Sequence, residues 1–186
     1  MDYTKAIQRV WSDHPEEINS NPESGGLLIQ ARIVALAQVA ANSCLGDLIE
    51  IGAWRGWTTA PLGLVAARFG RKLIVADPWL RDDVYQDFLS SIHHVKSVIS
   101  IYKMRSQDEN FIGLIRTLSP CFVFVDGEHS YEAVRRDLET VQHCNGLIAV
   151  DDYSWDAGIR KAVDEFVLEY DRRLLYSGVH RECYIQ

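Results

Sequence analysis

Three aspartates and one histidine stand where this sequence concentrates its chemistry: Asp126, His129 three residues later, and the adjacent pair Asp151-Asp152. The apolar runs Cys121 to Val125 and Leu147 to Val150 precede them and suit strands buried on both faces, so the acids are expected together at strand ends. Up to three negative charges in one place raise each other's pKa or demand a cation. A hard divalent ion meets that demand, and oxygen ligands with no neighbouring Cys pair or His pair suit Mg²⁺ or Mn²⁺ over zinc. Held by Asp126, Asp151 and Asp152, such an ion would bind adjacent oxygens of a substrate, orient one and lower its pKa. His129 titrates near neutral pH and suits a general base, with Asp126 the other residue placed to take a proton. The plainer roles are turn caps for Asp151 and Asp152, and a helix cap or cofactor contact for His129.

A second set of residues suits a cofactor. Glu50-Ile51-Gly52-Ala53-Trp54-Arg55-Gly56-Trp57-Thr58 follows the apolar run Leu45 to Ile49 and precedes a helical stretch from Pro61 to Phe69, which reads as strand, glycine turn and helix. A dinucleotide fingerprint beginning at Gly52 needs glycines at positions 54 and 57, and both hold tryptophan. The turn therefore offers backbone N–H groups to a carboxylate and little room to a diphosphate, which argues against NAD. Asp77 ends the run Leu73 to Ala76 at a spacing compatible with a carboxylate that accepts both ribose hydroxyls; the alternative is that it opens an Asp-Pro turn with Pro78. Trp79 offers either a stacking face for adenine or a core side chain.

The elements that must position these residues alternate. A helix is expected over Leu27 to Ala41, then the strand ending at Ile51, the helix after Gly56, the strand Leu73 to Ala76, a polar helix from Asp82 to His94, and a strand from Val98 to Tyr102. A helix from Glu109 to Leu118, the strand Cys121 to Val125, an amphipathic helix from Ser130 to Val141 and the strand Leu147 to Val150 follow. Ile159, Ala162, Val163, Phe166 and Tyr170 mark one more helix, and the tail from Leu174 supplies two short strands, the last antiparallel. This alternation implies right-handed crossovers and an α/β, doubly wound, mostly parallel Rossmann-like sheet with helices on both faces. The acids would line its carboxyl edge, where such folds bind ligands.

Composition narrows the function classes. The 186 residues suit a single domain over 25–186, behind a loosely structured N-terminal segment 1–24 that carries Pro15 and Pro22. A net charge of −7 from 26 acidic and 19 basic residues, with no basic run, disfavours nucleic acid as a partner. Cys44, Cys121, Cys144 and Cys183 lie far apart and read as reduced thiols of a cytoplasmic protein. The most apolar stretch, Leu27 to Ala41, carries Gln30, Arg32 and Gln38 and is too short for a bilayer span. No membrane association is expected.

The acid, glycine, three residues and glycine of Glu50 to Gly56 resemble motif I of the class I S-adenosylmethionine (SAM) dependent methyltransferases. With Asp77, Asp126-Gly127-Glu128-His129 and Asp151-Asp152-Tyr153 in order, the chain resembles metal-dependent O-methyltransferases over roughly residues 27–170. Asp151-Asp152-Tyr153 with Arg160 to Phe166 is similar to macrocin O-methyltransferases, which methylate sugars on macrolides; the motif I region and the acids are also similar to catechol O-methyltransferases. The resemblance implies that Gly52, Ala53 and Trp54 present backbone to the methionyl part of SAM and that Thr58 donates to its carboxylate. Glu50 and Gly56 complete motif I, and Ser106 with Gln107 fall where the family reads adenine. Where catechol O-methyltransferases carry a lysine base, this chain has His129. The implied function is Mg²⁺-assisted methylation of a hydroxyl on a small molecule, such as a sugar or a natural-product intermediate with vicinal oxygens. Alternatives are a metal-independent methyltransferase, a cephalosporin-hydroxylase-like protein of the same fold, and a SAM- or nucleotide-binding domain without turnover. Few residues are available to wall off an acceptor, so a homo-oligomer that completes the site is expected.

Overall fold

The computed structural model describes residues 35–43, 45–177 and 181–186. The expected segment 1–24, the first part of the Leu27 to Ala41 helix and Cys44 lie outside the described residues. Residues 35–41 are helical (α1). There follow β1 (Leu48–Ile51), α2 (Thr59–Phe69), β2 (Leu73–Ala76), α3 (Asp82–Ser91), β3 (Ile99–Tyr102), α4 (Glu109–Ile115), β4 (Phe122–Val125), α5 (Tyr131–Thr140), β5 (Leu147–Val150), α6 (Ala157–Glu169), β6 (Leu174–Ser177) and β7 (Cys183–Ile185).

The seven strands form one sheet in the order β3-β2-β1-β4-β5-β7-β6. The first five are parallel, and β7 runs antiparallel to both β5 and β6. The chain winds outward from β1 to β2 and β3 on one side and to β4 and β5 on the other. The strand order thus reverses between β1 and β4, and open α/β sheets bind ligands outside the carboxyl ends of strands at such a point.

Apart from Glu50 of β1, the central strands are apolar on both faces because helices cover both. Phe122 and Phe124 of β4 pack with α1, α2 and α3 through Leu36, Leu62 and Phe88. Val123 and Val125 face α4, α5 and α6 through Phe111, Leu138 and Phe166. This alternation follows from the two-residue period of a strand, and it fixes the direction in which each strand end delivers its next residue.

Local signals set the boundaries. Ser130 Oγ accepts from Ala133 N at 3.2 Å to cap α5, and Asp156 Oδ1 accepts from Gly158 N at 2.7 Å and Ile159 N at 3.0 Å to cap α6. A left-handed Gly70 ends α2. The polar helix expected to reach His94 ends at Ser91, and the helix expected to reach Leu118 ends at Ile115. Among the described residues no helix is long and apolar enough to cross a membrane.

Candidate active site

The turn after β1 is held from below by the acid that ends β2. Asp77 Oδ2 accepts from Ala53 N and Trp54 N, both at 2.9 Å, and Oδ1 accepts from Trp79 N at 2.7 Å. The N–H groups expected to meet the methionyl part of SAM therefore meet the protein's own carboxylate. A carboxylate offers about four acceptor positions, and three amides already fill most of them. One acceptor position of Asp77 is left over after these three amides.

Trp54 adopts φ +42°, an unfavourable conformation for a bulky residue. Asp77 pins its N–H, and Trp79 Nε1 donates to its carbonyl at 2.8 Å, so the surrounding bonds hold the strain. This also decides Trp79. The side chain is 3% exposed and packs against Tyr85 and Phe88 at ring distances of 5.0 and 4.4 Å. It is a core residue, not an adenine platform, because its indole N–H is already paired below the turn.

Gly52, at φ +83°, is the point where the strand ends touch. A Cβ there would lie 2.0 Å from the Asp126 carbonyl oxygen and 2.7 Å from Gly127 Cα, so only glycine lets the β1 and β4 exits pass. Gly56, at φ +80°, turns the chain toward α2 under Phe88 and Ser91.

Glu50 and Thr58 act beneath the cleft floor. Glu50 is wholly buried, and burial pushes its pKa up to about 8, opposed by the Thr58 hydroxyl that donates to Oε1 at 2.5 Å. Thr58 thus donates to Glu50 in this structure, where the resemblance assigned its hydroxyl to the SAM carboxylate.

Two clefts open at the carboxyl edge. One, of about 570 Å³, runs from Gly52 and Trp54 past Asp77 and Pro78 to Ser106, Gln107 and Asp137. The other, of about 430 Å³, lies over Trp57, Thr58, Asp151, Asp152 and Arg181. They share Gly52, Trp54, Asp126 and His129, which form the wall between them.

His129 bridges two acids in that wall. Its Nε2 lies 3.3 Å from Asp126 Oδ1 and its Nδ1 lies 3.3 Å from Asp152 Oδ2, while Arg181 Nη1 holds Asp152 Oδ1 at 3.2 Å. The hydrogen bond to Asp126 pushes the His129 pKa up to about 8 against partial burial. Burial pushes Asp126 up to about 7, opposed by His129 and reinforced by the charge of Asp151. The carboxylates around the ring favour its protonated form. Asp152 sits at the left-handed φ of +55°. Ser130, and not His129, caps α5.

The three acids do come together, yet the charge among them is met by side chains. His129 and Arg181 occupy both Asp152 oxygens and one Asp126 oxygen, and among the described residues no three His, Cys, Asp or Glu groups converge as a metal site. The Mg²⁺ or Mn²⁺ ion expected from the charges of Asp126, Asp151 and Asp152 would have to displace the His129 and Arg181 pairing from these oxygens.

Ser106 and Gln107 line the first cleft, and both donate to a residue that sequence reasoning missed. The Ser106 hydroxyl and Gln107 Nε2, the latter at 2.5 Å, reach Asp137 Oδ1. Asp137 is 1% exposed, and burial pushes its pKa up to about 6. A signal existed: Asp137 lies on the face of α5 that also carries Val134, Leu138 and Val141, and an acid among core positions needs a partner. Arg181 was also missed. It arrives from the chain's last strand connection, stacks 3.3 Å over Trp155, and no spacing in the sequence ties it to Asp152.

With this geometry in place, the likeness to known proteins is specific. A family model described as a methyltransferase domain matches residues 49–153, which run from β1 through the acid pair. The chain belongs to this methyltransferase family. Among solved structures it is similar to CalS11, a TDP-rhamnose 3'-O-methyltransferase of calicheamicin biosynthesis, at 12% identity and TM-score 0.67 over 99% of this chain and 92% of that one. It is also similar to the S-adenosylhomocysteine (SAH) bound methyltransferase PaMTH1 of Podospora anserina, at 12% identity and TM-score 0.65 over 97% and 87% of the two chains. The O-methyltransferase of Bacillus cereus in complex with SAH aligns at 12% identity and TM-score 0.56 over 100% and 89%. At these identities the structures establish the fold. No curated protein matches the chain by sequence.

Proposed function

We propose that this methyltransferase binds SAM in the first cleft and methylates a hydroxyl of a small molecule held in the second. The observation that carries the reading is the shared wall of Gly52, Trp54, Asp126 and His129, because a methyl donor and its acceptor must meet at a point that both clefts reach and that carries a proton acceptor. The residues fit an adenosyl group: polar Ser106 and Gln107 at one end, the remaining acceptor position of Asp77 at the middle, and the wall at the other end. SAM supplies an electrophilic methyl group on sulfur.

The chain's own residues do the rest. The acceptor oxygen forms a bond to the methyl carbon as the carbon–sulfur bond breaks, and the hydroxyl proton must leave. His129 is the base. Neutral imidazole has one N–H, so it can donate to Asp126 or Asp152 but not to both; the nitrogen without a proton is left facing a carboxylate that it cannot bind. A hydroxyl placed there gives its proton to that nitrogen, and the imidazolium that forms can pair with both acids. Asp126 and Asp152 orient the ring and stabilise the imidazolium. Similarity to CalS11, a sugar O-methyltransferase, and to the Bacillus cereus O-methyltransferase supports a hydroxyl acceptor.

A second reading keeps the metal. Asp126, Asp151 and Asp152 at neighbouring strand ends favour it, with a cation in place of the His129 and Arg181 pairing. Methyl transfer in excess EDTA separates the two: full activity supports His129 as the charge partner, and abolished activity restored by Mg²⁺ or Mn²⁺ supports the metal.

A further inference from the structure

We propose that Asp137 is a positioning residue that turns the carboxamide of Gln107 with its oxygen away from Asp137 and toward the cofactor cleft, so that the site selects a purine bearing an amino group at C6. The inference rests on the reading that this cleft holds the adenosyl part of SAM.

The Asp137 carboxylate sets the direction of the hydrogen bonds around it. Ionised, it only accepts hydrogen bonds. Asp137 Oδ1 takes the Ser106 hydroxyl and the Gln107 amide nitrogen, the latter at 2.5 Å, on a side chain that is 1% exposed. Reversing the Gln107 amide would press its carbonyl oxygen against the buried carboxylate and leave two acceptors facing each other, a costly arrangement. The amide therefore has one favourable orientation, and its two polar atoms diverge. With Nε2 held by Asp137, Oε1 is the polar atom left for a ligand. Ser106, Gln107 and Asp137 all line the cleft.

The backbone is shaped around this carboxyl group. A Cβ at position 127 would lie 3.0 Å from Asp137 Oδ2, so Gly127, directly after the β4 acid, leaves the space the carboxyl group occupies. The four residues come from two loops and a helix: Ser106 and Gln107 follow β3, Gly127 follows β4, and Asp137 lies on α5. Asp137 thus ties the adenine end of the cleft to the strand end that carries Asp126. A 6-aminopurine donates an N–H to Oε1. A 6-oxopurine places a second acceptor there and loses that bond.

Replacing Asp137 by asparagine reverses the chemistry at nearly the same volume. The asparagine amide can donate to Gln107 Oε1, which allows the Gln107 amide to turn its nitrogen outward and removes the preference for an amino group. The test is calorimetric binding of SAH and of its 6-oxo analogue S-inosylhomocysteine to the wild type, to Asp137→Asn and to Gln107→Leu. The wild type is expected to prefer SAH by about tenfold to a hundredfold. In Asp137→Asn and in Gln107→Leu the ratio should fall to within about threefold of unity, or invert in the former. A wild-type ratio retained in Asp137→Asn, with both ligands weakened equally, would overturn the inference and leave Asp137 a structural residue. If that variant does not fold, Gln107→Leu decides, since an unchanged ratio there removes Oε1 as the reader. Failure of the wild type to bind SAH would overturn the cofactor reading itself, which is distinguishable from binding without discrimination.

Discussion

His129 Nδ1 lies 3.3 Å from Asp152 Oδ2, and the opposite nitrogen of the same ring lies as far from Asp126 Oδ1. One imidazole therefore joins the acids delivered by two neighbouring strands, and both contacts favour its protonated form. The His129 pKa stands near 8 for that reason, above the ordinary 6.5.

The pH dependence follows. A base must be neutral before it can act, so the rate of methyl transfer should rise with pH through a transition near 8, not near 6.5. His129→Ala should lower turnover by about 10²–10⁴-fold while SAH affinity changes little. Single-turnover rates of the variant and the wild type against pH check this, and a wild-type rate and profile in His129→Ala would remove the histidine from catalysis.

Asp77 organises the motif I turn before any ligand arrives. Asp77→Ala removes the acceptor for three backbone N–H groups, so it should destabilise the fold by at least about 1.5–3 kcal/mol as well as weaken SAH. Denaturant unfolding beside SAH titration checks both. Lost affinity at unchanged stability would make Asp77 a ligand contact alone.

Glu50 makes stability depend on pH. Its folded pKa of about 8 exceeds the ordinary 4.5, so the folded state binds a proton more tightly than the unfolded chain. The stabilisation this gives is fully present below about pH 4.5 and is lost as pH rises through 8, a change on the order of several kcal/mol. Glu50→Gln keeps an acceptor for Thr58 and cannot ionise. Its unfolding free energy should be flatter than that of the wild type between pH 5 and 9, and parallel curves would show that Glu50 does not carry the effect.

Much of the architecture was legible because it depends on local pattern. The uninterrupted apolar runs at Leu73 to Ala76 and Leu147 to Val150 are strands at those residues, and the amphipathic patterns after Ser130 and around Ile159 to Phe166 are helices. The acids, His129 and the glycine turn meet at one edge because each follows a parallel strand. Partner choice was not legible. Asp77 binds the amides of Ala53, Trp54 and Trp79, Thr58 binds Glu50, and Trp79 turns inward, because the fold brings them backbone and core partners that no local pattern announces. Arg181 reaches Asp152 from the far end of the chain, and only the insertion of β7 beside β5 brings them together.

The central claim is that the cleft from Gly52 to Gln107 holds SAM. Calorimetric titration of the protein with SAH and with NAD, each with and without Mg²⁺, tests it most directly. The account predicts saturable SAH binding that does not depend on Mg²⁺, a thermal stabilisation of about 2.7 kcal/mol at roughly 100 times Kd, and no response to NAD. Binding of NAD with none of SAH would contradict it.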